Sequence, residues 1–154
     1  MDFYSFYTGK CFDAHRWLGV HPQGTGFVFR TFAPSAERVS LIGECTGGEE
    51  LPMEKAFDGN FYECFLPQAK EGEKYQYRIY HDGAYTDHCD PYGYGMELRP
   101  AHQSVIRTLD YDFEDDTWMK GRNNCKNRPL NIYEVHLGSW RRKGDGLNDF
   151  YSYE

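Results

Sequence analysis

The sequence is poor in the features that most directly announce chemistry. Its 5 cysteines (Cys11, Cys45, Cys64, Cys89 and Cys125) are odd in number and include no CxxC pair. That argues against a zinc site or a disulfide framework and for free thiols in a reducing compartment. His88, Cys89 and Asp90 are adjacent but lack ligand spacing, so they read as a loop, and no metal or cofactor is expected. Long apolar runs are missing, which excludes a membrane-spanning helix. The opening residues, MDFYSFYTGK, hold neither a basic nor an apolar signal region, so a cytoplasmic protein is expected. Basic runs are also missing apart from Arg141-Arg142-Lys143, and the net charge is −7. Such a field repels a phosphate backbone, so nucleic acid is not an expected partner.

What is present suits a soluble, folded chain. Its 154 residues allow one domain of ordinary size with a short appendage. Hydrophobic residues make up 40% and charged residues 27%, proportions that disordered segments lack. Aromatics reach 18%, as 13 Tyr and 11 Phe against only 3 Trp. Tyrosine joins an apolar face to a polar tip and serves half-wet surfaces as well as cores. This composition is compatible with sugar recognition and equally with an aromatic all-β core.

Four zones follow along the chain. Residues 1–22 place Ala14, Trp17 and Leu18 at helical spacing between Asp13 and Gly19, which predicts a short helix and then a loop. Residues 23–108 carry short strand signals between turns: Phe27–Phe32 before Pro34, Arg38–Ile42 before Gly43, Tyr62–Leu66 before Pro67, Lys74–Tyr80, and Ser104–Arg107. Many short alternating strands predict an antiparallel, immunoglobulin-like β-sandwich, an all-β fold. Residues 109–130 are acidic and then basic-polar, which predicts a linker with Trp118 and Met119 as its anchors. Residues 131–154 open with Ile132–Leu137, read as one strand with no visible partner and hence as the start of a truncated second domain.

The sharpest local signal is KYQYRIYHDGAYTDH. Asp82-Gly83 supplies the two positive-φ residues that a type I′ hairpin turn requires. The turn would pair His81 with Ala84, Tyr80 with Tyr85, and Arg78 with Asp87. Alternation then gathers Lys74, Gln76, Arg78, Tyr80, Tyr85 and Asp87 on one face and leaves Tyr75, Tyr77, Ile79 and His81 for the core. Rings beside charged hydrogen-bonding groups suit a sugar. The same residues also read as a cross-strand aromatic pair beside an exposed salt bridge.

The run Phe32-Ala33-Pro34-Ser35-Ala36-Glu37-Arg38-Val39-Ser40-Leu41-Ile42-Gly43, with Asp82-Gly83, Asp87, Asp90-Pro91-Tyr92, Arg99-Pro100-Ala101 and Ser104-Val105, resembles carbohydrate-binding module family 48. Phe6-Tyr7-Thr8-Gly9 with Trp17–Pro22, and above all Ile132-Tyr133-Glu134-Val135-His136-Leu137-Gly138-Ser139-Trp140-Arg141-Arg142, is similar to branching enzymes on either side of their module. Those enzymes cut an α-1,4-glucan and transfer the piece to a 6-hydroxyl. Their alpha-amylase-type (β/α)8 barrel uses one carboxylate as nucleophile and another as acid/base. In the family those carboxylates lie on later barrel strands, so the resemblance implies no catalytic residue among residues 1–154. Glu134 and His136 are expected to be structural, and Glu49-Glu50 and Asp115-Asp116 to be surface charges.

For binding, the resemblance implies a basic residue at Arg78, an aromatic at Tyr85 and an amide near Gln103. With Tyr80 on the same face, these four form the candidate glucan site. The partners expected are α-1,4-glucan (glycogen) and the chain's own catalytic barrel. Gly48 stands where glucan-binding relatives carry a tryptophan, and Tyr62 replaces another frequent one. Losing a stacking platform removes on the order of 1–3 kcal/mol by analogy with stacked bases, about ten- to a hundredfold in affinity. The alternatives are a stand-alone glycogen-binding regulatory module and the N-terminal part of an isoamylase- or pullulanase-type debranching enzyme. The YEVHLGSWRR segment favours a branching enzyme.

Overall fold

The computed structural model describes residues 1–122, 127 and 129–151, which leaves Cys125 and Arg128 outside the described residues. The chain divides into two compact units, Met1–Tyr111 and Asp112–Glu154.

The first unit opens with helix α1 (Phe3–Tyr7), N-capped by Asp2, whose carboxylate accepts from Ser5 N–H at 3.3 Å. A single 3₁₀ turn, Ala14–Arg16, follows. Ten strands then build two sheets: β1 (Gly19–Gln23), β2 (Gly26–Phe32), β3 (Arg38–Gly43), β4 (Leu51–Pro52), β5 (Glu54–Ala56), β6 (Phe61–Leu66), β7 (Lys74–His81), β8 (Ala84–His88), β9 (Gly95–Met96) and β10 (Ser104–Val105). One sheet runs β1-β2-β6-β5 and the other β4-β3-β7-β10-β9, with β8 also paired to β7. Every pairing is antiparallel. This is the expected all-β, immunoglobulin-like sandwich.

Period-two alternation explains the layering. Phe29 and Tyr62 point from the first sheet, and Val39, Leu41, Tyr75 and Tyr77 from the second, into one buried core. Phe29 and Tyr75 meet edge to face at 5.1 Å. Burying such a side chain is worth about 1.5–3 kcal/mol. The opposite face of the first sheet presents Phe32 and Phe61 side by side. Over them pack Phe3, Phe6 and Trp17, forming a second, smaller cluster with Leu18. The N-terminal segment therefore covers the back of the sandwich. At the end of β3, a Cβ on Gly43 would lie 2.2 Å from Lys74 O, so only glycine lets the two strands approach there.

Several elements depart from the sequence reading. The predicted helix around Trp17 shrinks to the Ala14–Arg16 turn, and Gly19–Gln23 is a strand, not a loop. Pro22 concealed it, although β1 is an edge strand, where a missing N–H is tolerated. His81 leaves the core face: its side chain is exposed beside Asp82, at 3.2 Å, because the hairpin tip projects past the sandwich.

The second unit contains α2 (Asp116–Gly121), α3 (Leu137–Trp140) and one isolated bridge, Arg142 to Phe150. The strand expected at Ile132–Leu137 does not form; residues 131–136 have no strand assignment and Leu137 begins α3. A barrel strand exists through its neighbours' hydrogen bonds, and among the described residues none pairs with it. Trp118 and Met119, expected as anchors, are exposed on α2. No helix of the described residues is long and apolar enough to cross a membrane.

Candidate functional site

The hairpin adopts the geometry its two turn residues dictate. Asp82 and Gly83 have φ of 52° and 71°, and the register pairs His81 with Ala84, Tyr80 with Tyr85 and Arg78 with Asp87. On its other side β7 pairs with β3, setting Arg38 opposite Tyr80 and Ser40 opposite Arg78. The outward side chains of β3, β7 and β8 thus share one face of the second sheet, away from the core.

On that face Arg78 is the hub. Its Nε donates to Asp87 Oδ1 at 2.8 Å and its Nη2 to Asp87 Oδ2 at 2.9 Å, the bidentate fork that suits guanidinium and carboxylate. Nη1 reaches Glu50 at 3.4 Å. The same guanidinium lies 4.2 Å from the centre of the Tyr85 ring. Tyr80 donates its hydroxyl to Glu50 at 2.7 Å, while Arg38 lies 3.5 Å from the centre of the Tyr80 ring. The two rings stand 5.6 Å apart, tilted by 50°. Further along β7, Gln103 Nε2 donates to Gln76 Oε1 at 3.3 Å, and Lys74 pairs with Glu97 at 2.8 Å.

The electrostatics follow from these contacts. The Tyr80 hydroxyl bond, then the nearby arginines, hold the Glu50 carboxyl below its usual range. The Arg78 fork does the same for Asp87. Both carboxylates are therefore engaged anions, neither poised as an acid. Tyr85 is 55% exposed and is the one broad apolar surface that this cluster presents to solvent.

Of the four predicted site residues, Arg78, Tyr80 and Tyr85 form one contiguous cluster. Gln103 stands beside Gln76, two residues from Arg78 along β7. The sequence reading missed Arg38, which reaches the face only through the β3–β7 register, a non-local fact. Glu50, expected to be a solvated surface charge, is half-buried and bonded to Tyr80 and Arg78. Tyr62 is no platform: it is 1% exposed and donates inward to Ala36 O at 2.7 Å. Gly48 is exposed with φ of 83°, and a Cβ there would touch nothing within 4 Å.

Asp90, weighed above as part of a loop triplet, points inward. Its Oδ2 accepts from the hydroxyls of Tyr75 at 2.7 Å and Tyr77 at 3.1 Å, and Oδ1 accepts from Tyr92 N–H at 2.8 Å. Burial pushes this carboxyl up, against the pull of those bonds. Glu37, His81 and Asp82, all exposed, lie close together near the hairpin tip.

A two-sheet antiparallel sandwich whose outer face sets tyrosines between arginine–carboxylate pairs is a small β-sandwich module. The chain belongs to the family carbohydrate-binding module 48 (isoamylase N-terminal domain), which it matches over residues 17–93. It is 37% identical over 156 residues to the 1,4-alpha-glucan branching enzyme GlgB of Methylococcus capsulatus, covering 94% of this chain and 21% of the relative. To the enzyme of the same name from Saccharophagus degradans it is 36% identical over 99% of this chain and 22% of that relative. The chain thus spans about a fifth of the length of the curated relatives it matches. Among solved structures, a pullulanase from Anoxybacillus sp. LM18-11 complexed with maltotetraose aligns with a TM-score of 0.54 at 19% identity, over 83% of this chain and 17% of that one. A pullulanase from Bacillus acidopullulyticus aligns at 0.52 and 24%, over 59% of this chain and 12% of that one. At those identities the likeness concerns the fold alone.

Proposed function

We propose that this chain is the non-catalytic N-terminal part of a 1,4-α-glucan branching enzyme, with a module that positions the catalytic barrel and binds α-glucan on the Arg78–Tyr85 face. In this reading the parent acts in the cytoplasm and transfers α-1,4-glucan segments to 6-hydroxyls. The observation that carries the proposal is similarity running well beyond the module. Identity of 36–37% extends over 94–99% of the chain, whereas the module itself accounts for residues 17–93. A stand-alone module gives no reason for that extension. The pullulanase structures support only the sandwich, so they do not favour a debranching parent.

In this reading the labour on the face is divided. Arg78 holds three of its five N–H donors on Asp87 and Glu50, so its main role here is to position the Tyr85 ring. Tyr85 stacks on the C–H face of a glucose ring, and the Gln103 amide supplies a hydrogen bond to a hydroxyl. Glycogen cast into a native gel should retard the wild-type chain, and Tyr85→Ala should bind about tenfold or more weakly, the expected loss for one stacking ring, and so run nearer to its free mobility. Unchanged wild-type mobility, or equal retardation of both, rejects the site. The purified chain should also leave the iodine colour of amylose unchanged; a shift would contradict the non-catalytic assignment.

A further inference from the structure

A second constellation lies apart from the tyrosine face, where strand β1 meets the segment after β10. A cavity of about 260 Å³ is lined by Arg16, His21, Tyr94, Arg107, Thr108 and Leu109, with Val20 and Pro22 along the strand. Three of these side chains carry or can carry positive charge, and none carries negative charge, in a protein whose net charge is −7. Of the other arginines in the first unit, three are paired and Arg99 is not: Arg30 reaches Glu63, Arg38 reaches Glu50, and Arg78 reaches Asp87 and Glu50. Among the described residues Arg16 and Arg107 form no ion pair.

Local structure holds the surroundings in place. Arg16 ends the 3₁₀ turn, where its N–H bonds Asp13 O at 2.9 Å. The His21 ring is fixed by its Nε2 at 2.9 Å from Leu18 O, and Tyr94 is tethered by its hydroxyl to His15 O at 3.1 Å. Thr108 directs both its N–H and its hydroxyl at Glu71 Oε1, at 3.1 and 3.3 Å. That carboxylate is not itself among the lining residues. Arg16, Arg107 and His21 thus line one small concave space whose lining residues include no carboxylate, with Glu71 bonded to Thr108 beside it.

We infer that this cavity is an anion site for a phosphate group, carried either as free phosphate or as a phosphate monoester on a glucan chain. Planar guanidinium forks match a tetrahedral oxyanion by paired N–H donors, and phosphate is the common biological ligand of paired arginines. The cavity volume lies below the roughly 300–1,000 Å³ of drug-sized ligand sites, which fits one small charged group and not a run of sugars. The site does not depend on the glucan reading of the tyrosine face, since the two share no residue.

The test is an NMR titration of the chain with three probes: inorganic phosphate, a phosphorylated maltooligosaccharide and the same maltooligosaccharide without phosphate. Saturable shifts centred on Arg16, His21, Tyr94 and Arg107 are expected with the phosphate-bearing probes and not with the neutral one. Arg16→Gln with Arg107→Gln should weaken that binding at least tenfold, with the spectrum otherwise that of a folded protein. Binding of inorganic phosphate but not of the phosphorylated oligosaccharide assigns the site to free phosphate; tighter binding of the oligosaccharide assigns it to a modified chain. The inference is overturned by absence of saturation, by equal binding to the double variant, or by neutral sugar shifting the same residues. Because both substitutions are exposed, a folding failure is not expected; should it occur, each single variant gives the same comparison.

Discussion

Asp90 shows how much one residue can decide in a fold whose core is built from tyrosines. Tyr75 and Tyr77 fill the interior as apolar rings, yet each carries a hydroxyl that cannot be left dry. One buried carboxylate accepts both, and its Oδ1 ties down the backbone of Tyr92. Asp90 N–H in turn donates to Ser104 Oγ at 2.8 Å, so the loop after β8 is pinned to β10. Removing the acceptor leaves buried donors unpaired, and Asp90→Ala should cost about 2–4 kcal/mol in a denaturant titration. Asp90→Asn should cost less, since an amide oxygen still accepts the hydroxyls while its NH₂ opposes only Tyr92 N–H. Equal stability of wild type and Asp90→Ala would show that the hydroxyls find other partners. Nothing local in His88-Cys89-Asp90 reveals this role. The two tyrosines lie 15 and 13 positions away, and pairing across such a gap is visible only in the fold.

At the scale of elements, legibility followed the range of the interaction. The β7–β8 hairpin could be read to the residue because Asp82-Gly83 fixes the turn, and the turn fixes the register. The same reasoning placed Arg78, Tyr80, Tyr85 and Asp87 on one face. It could not supply Arg38 or Glu50, which arrive from β3 and the segment before β4 through pairings with no local signal. Short strands such as β4, β5 and β9 passed unseen for the same reason: two or three residues carry no period. The face they complete has a pH signature. Glu50 and Asp87 have carboxyls held below their unfolded values, so each contributes stability that is present above about pH 4 and is lost as pH falls through the folded value. Asp90, raised by burial, works in the opposite sense and costs stability above its unfolded value. Thermal melts from neutral pH to about pH 3 should therefore show a wild-type advantage over Glu50→Gln that shrinks on acidification. A gap that stays constant with pH would mean that Glu50 contributes through shape and hydrogen bonding, not charge.

Across the whole molecule the two units are built on different principles. In Met1–Tyr111, two aromatic clusters bury their rings on both faces of the first sheet, and the N-terminal segment completes the second cluster. In the second unit, large apolar side chains face solvent: Trp118 is 62% exposed, Ile132 87% and Trp140 67%. Trp118 is the expected linker anchor and Ile132 the start of the expected barrel strand, and the contrast has a physical reason. Sequence periodicity reports which side chains seek burial, whereas burial itself requires a facing surface. A chain ending at Tyr111 should accordingly fold alone and melt within a few degrees of the full chain, because all of the described core residues lie before that point. It would retain Trp17, half-buried against Phe3 and Phe61, as its sole tryptophan, so its emission should be blue-shifted relative to that of the full chain. Limited proteolysis of the full chain should give the same limit product, with cuts accumulating after residue 111 and residues 19–107 spared. A large drop in melting temperature on shortening would instead assign to the second unit a part in holding the sandwich together, and residues 112–154 would then have to be counted within the module's own fold.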